Sequence, residues 1–181
     1  AGLEDLFLVK FSSAGAVEWS RAVGGMNSNG GYSVVQTADG GYAVAGETYS
    51  FGAGEYDLFL VKFSSTGDLE WFRAVGGTSY DAGYSVVQTS DGGYAVAGFT
   101  YSFGVGNYDL FLTKFSSTGD LEWSRAVGGT DWDYGYSVVQ TFDGGYAVAG
   151  GTYSFGAGLE DLFLVKFSSA GAVEWSRAVG G

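Results

Sequence analysis

The feature that most constrains this chain is an internal repeat with a period of 52 residues. Four tryptophans are spaced by that period: Trp19, Trp71, Trp123 and Trp175. Residues 26–77, 78–129 and 130–181 are three full copies, and the first two differ at 11 of 52 aligned positions. Residues 1–25 are a partial copy, identical to residues 157–181. Such a period predicts a stack or ring of small units rather than one compact core.

Each repeat is predicted to contain four β-strands and no helix. In residues 26–77, segments dense in β-branched and aromatic residues lie at 31–37, 42–49, 57–64 and 69–75. The pair Asp39-Gly40 indicates a hairpin turn, because glycine adopts positive φ without steric cost. No segment has apolar residues at helical spacing. The third strand is almost continuously apolar, so we expect both of its faces to be buried.

Four short antiparallel strands are the content of one β-propeller blade. The predicted fold class is therefore all-β, a β-propeller of four-stranded antiparallel blades with three and a half blades per chain. Residues 1–25 are the half blade, holding the third and fourth strands, and residues 26–77, 78–129 and 130–181 are the full blades. Together they form one propeller domain or a fragment of one.

The repeat resembles a known family. The Gly-Gly pair with an acidic loop, the strand GYSVV, the hairpin DGGYAVAG, and Ser-Thr-Gly followed by Trp are similar to the bacterial and archaeal β-propeller repeat of cell-surface and secreted proteins. Thr66-Gly67-x-x-x-Trp71 also resembles the tryptophan-docking motif of quinoprotein-type propellers, but Phe63 replaces that motif's usual Asp, so cofactor binding does not carry over. The resemblance implies the fold, an extracellular or cell-surface parent protein, and no shared catalytic residues.

Charge and composition limit the kinds of partner that this chain can bind. The net charge is −12, and the eight Lys and Arg residues recur at fixed repeat positions, which indicates structural pairing rather than a basic patch. We therefore expect no nucleic-acid partner. No apolar run reaches the roughly 18 residues of a membrane helix, so we expect a soluble chain without membrane insertion. The identical ends favour a piece cut from a longer array over a chain from which a leader or initiator Met was removed.

Catalysis is not expected. The chain has no His and no Cys, so no ordinary nucleophilic triad can form. Paired carboxylates for glycoside hydrolysis would have to come from Asp81, Asp131 and Asp133, which follow Gly-Gly pairs in predicted loops. Oxygen ligands are all the chain offers, so calcium is the one ion that suits it. The ligand set is not repeated between loops, however, and we predict neither metal nor cofactor.

The repeats vary mainly in rim loops, where binding commonly resides. Aromatic and acidic side chains there would suit a sugar, with rings that stack on it and carboxylates that bind its hydroxyls: Tyr80, Asp81, Asp131, Trp132, Asp133 and Tyr134. Neutral drift of exposed loops is the alternative. The four repeated tryptophans are predicted to dock blades structurally. The main functional hypothesis is a non-enzymatic scaffold that contacts other copies or a protein partner, and the second is a lectin-like glycan-binding module.

Three and a half blades cannot close a ring, since propellers typically have about 4–8 blades. An unclosed chain leaves apolar faces and strand edges open, and such surfaces recruit partners. We therefore predict a homo-oligomer, most simply a dimer with strand exchange between its identical ends. Three closures remain open: seven blades with one hybrid blade, six blades with two displaced ends, or eight positions with two half blades.

Overall fold

The protein, described here by a computed structural model of residues 3–181, is all-β, as predicted; that part of the chain contains fourteen strands and no helix. An N-terminal hairpin is formed by β1 (Leu6–Phe11) and β2 (Val17–Val23). The first sheet contains β3 (Asn29–Gln36), β4 (Tyr42–Thr48), β5 (Asp57–Phe63) and β6 (Leu69–Val75). The second sheet contains β7 (Asp81–Gln88), β8 (Tyr94–Thr100), β9 (Asp109–Phe115) and β10 (Leu121–Val127). The third sheet contains β11 (Asp133–Gln140), β12 (Tyr146–Thr152), β13 (Asp161–Phe167) and β14 (Val173–Val179).

Each sheet is a meander in which every strand pairs antiparallel with the next along the chain. The predicted turn at Asp39-Gly40 forms, with Gly40 at φ +82° and the Asp39 carboxylate accepting the Gly41 N–H at 2.9 Å. Strand limits agree with the sequence prediction to within one or two residues. Residues 1 and 2 of the predicted half blade lie outside the described residues.

In each sheet, a buried lysine on the third strand forms ion pairs with acidic side chains on either side of it. The Lys62 side chain is almost fully buried, and its Nζ lies 2.9 Å from Asp39 Oδ2 and 3.0 Å from Glu70 Oε2. The same Nζ donates to the Phe63 carbonyl at 3.0 Å. Burial lowers the pKa of Lys62, but the hydrogen bonds to both carboxylates outweigh it and raise the pKa above its ordinary value. Lys62 and Glu70 therefore form an ion pair that is shielded from water on the lysine side.

Adjacent sheets pack face to face. We call the face turned to the next sheet along the chain the forward face and the opposite one the rear face. Between the first and second sheets, small and branched forward-face side chains meet larger rear-face side chains: Ala43, Ala45, Leu58 and Leu60 against Val86, Tyr94, Phe111 and Phe115. The second and third sheets repeat this core with the residues 52 positions later. Every residue of β5 and β9 is buried, which confirms the prediction for the third strand of these two sheets.

The N-terminal hairpin covers part of the rear face of the first sheet. Leu6 packs beside Gly31, where an added Cβ would lie 3.1 Å from Leu6 Cγ. Leu58 has the same relation to Gly83, also at 3.1 Å. The hairpin thus takes the place of the outer half of a preceding sheet, and the described strands form a partial propeller in which no sheet closes the ring.

Candidate functional site

Three of the four repeated tryptophans contact the neighbouring sheet. The Trp71 ring lies edge-on to Tyr94 of the next sheet at 5.6 Å between centroids. It also covers the turn at Gly119, where an added Cβ would lie 2.9 Å from the ring. Trp19 and Trp123 make the same contacts one repeat earlier and later. Trp175 belongs to the last sheet, has no following sheet to cover, and is exposed.

An arginine beside each of Trp19, Trp71 and Trp123 reaches the same turn as the tryptophan. Arg73 stacks over the Trp71 ring at 5.4 Å and donates to the Thr118 carbonyl of the next sheet at 3.1 Å. Arg125 donates to the Gly171 carbonyl at 2.9 Å. These contacts bear out the prediction that the regular basic residues are structural. Arg177, in the last sheet, bonds only its own neighbour, the Ser176 carbonyl, among the described residues.

The forward face of the third sheet is open. Leu162 is 55% exposed, whereas its repeat equivalents Leu58 and Leu110 are fully buried. An apolar groove of about 420 Å³ runs over this face, lined by Leu162, Leu164, Trp175, Arg177 and Val179. The equivalents of Leu162, Leu164, Trp175 and Val179 belong to the core of each internal junction, so the groove is a junction surface without its second sheet.

The rear face of the N-terminal hairpin is open as well. Phe7 is 65% exposed and Phe11 is 55% exposed, whereas the equivalent Phe59 and Phe63 are fully buried. The stack therefore ends in two uncovered apolar surfaces, one at each terminus, and each has an exact counterpart that is covered inside the chain.

Two of the predicted sugar-binding carboxylates are not in exposed loops. Asp81 and Asp133 begin strands β7 and β11 and are fully buried. Asp81 accepts hydrogen bonds from the Gly77 N–H at 2.9 Å, from Ser102 Oγ at 2.6 Å, and from the Thr100 hydroxyl. The two hydroxyls come from its own repeat and the Gly77 N–H from the end of the preceding one, so the carboxylate is held inside the junction rather than presented at the rim.

Each buried aspartate faces another across the junction. Asp57 Oδ2 accepts the Ala53 N–H at 2.8 Å and so caps the turn before β5. Its Oδ1 has no hydrogen-bond partner within the described residues, and it shares with Asp81 Oδ2 the space beside Gly76. Burial raises the pKa of Asp57 to about 6, and the charge of Asp81 adds to the rise. Asp109 repeats this arrangement with Asp133, also with a pKa of about 6.

Tyr80 and Tyr134 belong to an aromatic cluster that spans the three sheets. The Tyr80 hydroxyl donates to Glu47 Oε2 at 2.5 Å, and its ring contacts Phe99 at 5.0 Å. Tyr134 stacks on Tyr136 at 5.7 Å. Burial raises the pKa of Tyr80, and the hydrogen bond to Glu47 adds to the effect. Glu47 is the residue that sequence analysis missed, and its only signal was variation between repeats, with Phe99 and Gly151 at the equivalent positions.

Asp131 and Trp132 line a separate surface pocket. It has a volume of about 300 Å³ and is formed by Asn107, Asp131, Trp132, Tyr153, Gly158 and Leu159. Trp132 is about half exposed and lies edge-on to Tyr153 at 5.6 Å. The Asp131 N–H donates to Ser154 Oγ at 3.1 Å, which fixes the loop while the residue itself stays exposed. Of the six predicted residues, only these two share this pocket.

Nowhere in residues 3–181 do three or more acidic side chains converge as a metal ion requires. In the loop considered for calcium, the Asp133 carboxylate accepts hydrogen bonds from the Gly129 N–H and the Ser154 hydroxyl inside the junction. Over the same residues, no helix has the length and apolar character needed to cross a bilayer.

Comparison with known proteins gives a fold and a partial relative. No family model matches the chain. The regulatory protein FlaEY of Caulobacter vibrioides is 33% identical to it over an alignment of 117 residues, and the match covers 56% of this chain and 12% of that protein. The chain therefore spans only a small part of that relative's length.

A solved structure is similar over most of the chain. It is the crystal structure of a protein of unknown function from Bacteroides caccae, with a TM-score of 0.50 and 13% sequence identity. The match covers 93% of this chain and 73% of the other. At this identity the similarity concerns the fold alone.

Proposed function

We propose that this chain is a non-enzymatic β-propeller repeat module, a structural and interaction scaffold that assembles with copies of itself. The motif resemblance to bacterial and archaeal β-propeller repeats supports the propeller family and an extracellular or cell-surface setting. The absence of His and Cys from the sequence supports a role without nucleophilic catalysis.

The observation that carries the proposal is the different exposure of equivalent side chains. Leu162 is exposed in an open groove, while its equivalents in the first two sheets, Leu58 and Leu110, are buried by the following sheet. Exposed apolar faces of this kind mark interaction sites. The chain repeats the sequence that covers these faces, so another copy of the chain offers the matching surface.

Native mass spectrometry across a micromolar concentration series tests the assembly. We expect a discrete oligomer, most simply a dimer, that dissociates on dilution. The fraction of oligomer should rise with the protein concentration. A compact monomer at all concentrations would overturn the scaffold proposal.

A second candidate function, glycan binding, is favoured by the pocket at Trp132. A half-exposed indole beside the Asp131 carboxylate and the Asn107 amide offers a stacking surface and hydrogen-bonding groups in one place. Only the third repeat has this set, because the positions of Trp132 hold Ser28 and Tyr80 in the others.

A glycan array followed by titration of any bound sugar tests this function. Trp132→Ala and Tyr153→Ala should abolish binding. Tyr101→Ala, which changes the equivalent of Tyr153 in the second repeat, should leave binding intact. Binding that survives Trp132→Ala, or an array without any bound glycan, would argue against the lectin hypothesis.

A further inference from the structure

One glycine turn and one tryptophan lack their partners. A Cβ added at Gly67, Gly119 or Gly171 would meet the ring of Trp19, Trp71 or Trp123 at 2.7, 2.9 and 2.8 Å. Gly15 occupies the same place in the N-terminal hairpin, has the same positive φ of 79°, and has nothing within 4 Å. Trp175 is the one tryptophan of the series without a turn to cover.

The arginine next to Trp175 lacks its partner in the same way. The arginines that precede Trp175 in the series reach turn carbonyls of the next sheet, as Arg73 reaches Thr118. Arg177 has no such acceptor among the described residues, while the matching carbonyl in the hairpin belongs to Ala14. Trp175 and Arg177 therefore lack the very turn that Ala14 and Gly15 provide.

The apolar side chains on the two surfaces also match. Inside the chain, Phe111 and Phe115 of one sheet pack on Leu58 and Leu60 of the preceding sheet. At the ends, Phe7 and Phe11 of the hairpin are exposed, and so is Leu162 of the third sheet. The hairpin thus carries the large rear-face residues of a junction, and the third sheet carries its forward-face residues.

We propose that the third sheet of one copy docks head-to-tail on the N-terminal hairpin of a second copy, with Trp175 of the first covering the Gly15 turn of the second. This deepens the proposed self-assembly and rests on it. The contact reproduces the outer half of an internal junction without displacing any strand. It is heterologous, so it forms a ring only if the rotation closes. Two copies joined at both ends hold six sheets and two hairpins, which is eight positions and within the usual size of propellers.

Single variants at each surface separate this arrangement from the other closures. Leu162→Glu blocks the forward face and Phe7→Glu blocks the hairpin, since each would bury an unpaired carboxylate. Val105→Glu is the control, because Val105 is as exposed as Phe7 but lies in a loop of the second sheet. We expect both test variants to be monomeric at concentrations where the wild type and the control assemble, with the dissociation constant raised at least about a hundredfold.

Mixing the two blocked variants gives the decisive result. Each retains the surface that the other lacks, so head-to-tail docking predicts 1:1 pairs with one intact junction and no larger species in native mass spectra. If only Leu162→Glu abolishes assembly, the third sheet of one copy displaces the hairpin of the other, as in the closure with six blades. If only Phe7→Glu does, the hairpin replaces β13–β14. Either result, or no 1:1 pairing, overturns the head-to-tail contact while self-assembly stands, whereas a monomeric wild type overturns both.

The glycine turn provides a second readout. Gly15→Asn keeps a residue that tolerates positive φ but fills the space needed by the indole. Gly92→Asn is the matched control, with φ +82° and only the Ser117 Cβ nearby at 3.7 Å. We expect the first to weaken assembly at least about tenfold and the second to leave it unchanged. Equal behaviour of the two variants would contradict docking at Gly15.

Discussion

At the scale of single residues, the sheet junctions concentrate buried acids. Asp57 with Asp81, and Asp109 with Asp133, approach each other beside glycines that leave room for no Cβ. At the hairpin junction, Asn29 takes the place of Asp81 and faces Asp5. An amide there is a neutral isostere of a protonated carboxyl group. Each internal junction therefore holds two facing acids, and the hairpin junction lacks the second acid.

The free energy of unfolding should depend on pH through these acids. The folded-state pKa of Asp57 is raised from 3.8 to about 6, so the folded chain binds this proton more tightly than the unfolded chain. The contribution of Asp57 to the free energy of unfolding therefore falls as the pH rises from about 4 to 6 and stays low above pH 6. Asp57→Asn should raise the free energy of unfolding at pH 8 and change it little at pH 4, as measured by urea denaturation.

Asp39 provides the control of opposite sign. The Thr37 hydroxyl and the Lys62 ammonium lower the pKa of Asp39 to about 2. Its stabilising contribution is present above the unfolded pKa near 4 and is lost as pH falls toward 2. Asp39→Asn should therefore destabilise the chain at pH 8. An Asp57→Asn effect that is equal at pH 4 and pH 8 would show that charge at Asp57 does not limit stability.

At the scale of elements, one sheet's fourth strand is held by the next sheet. Trp71 on β6 covers the turn between β9 and β10, and Arg73 bonds the same turn. On β14 the equivalent tryptophan has no such turn. Identical side chains on equivalent strands should therefore contribute differently to stability, according to whether a sheet follows.

Two tryptophan variants measure that difference. In a Leu162→Glu background, which keeps the chain monomeric, Trp71→Ala should lower the free energy of unfolding by about 3 kcal/mol, because it removes an interior contact. Trp175→Ala in the same background should cost less than about 1 kcal/mol, the range of surface positions. Chemical denaturation at one protein concentration gives both numbers, and comparable losses would mean that Trp71 does not hold the junction.

Local sequence patterns predicted these elements well, because their determinants are local. Asp39-Gly40 specifies its turn, and alternating β-branched and aromatic residues specify the strands on either side. β3 begins at Asn29, two residues before its predicted start, and there the Asn29 N–H bonds the carbonyl of Glu4, just before the hairpin, in a contact between elements. The contact of Asp81 with Asp57 and the hydrogen bond between Tyr80 and Glu47 also cross sheet boundaries. Spacing along one repeat carries no information on such contacts.

At the scale of the whole molecule, the chain is a stack that lacks one pair of inner strands. Val34 on β3 is 55% exposed, while its equivalents Val86 and Val138 are 7% and 5% exposed. Val86 packs on Ala43 and Ala45 of the preceding sheet, and the N-terminal hairpin has no strand equivalent to β4. The half blade therefore covers the outer part of the first sheet and leaves its inner part open.

Supplying the missing strands should complete the stack. Because residues 1–25 repeat residues 157–181, a copy of residues 130–156 joined before residue 1 creates a fourth blade identical to the third. The new inner strands would cover Val34 as β4 covers Val86, and burial of such apolar surface stabilises the fold. We expect the extended chain to remain a dimer with Tm raised by at least about 2–4 °C, the shift that 1 kcal/mol gives a chain of this size. Calorimetry and native mass spectrometry measure both, with a scrambled segment of equal composition as the control. An extended chain that is monomeric would mean that four blades close on themselves, and an unchanged Tm would mean that the inner face of β3 does not need a cover.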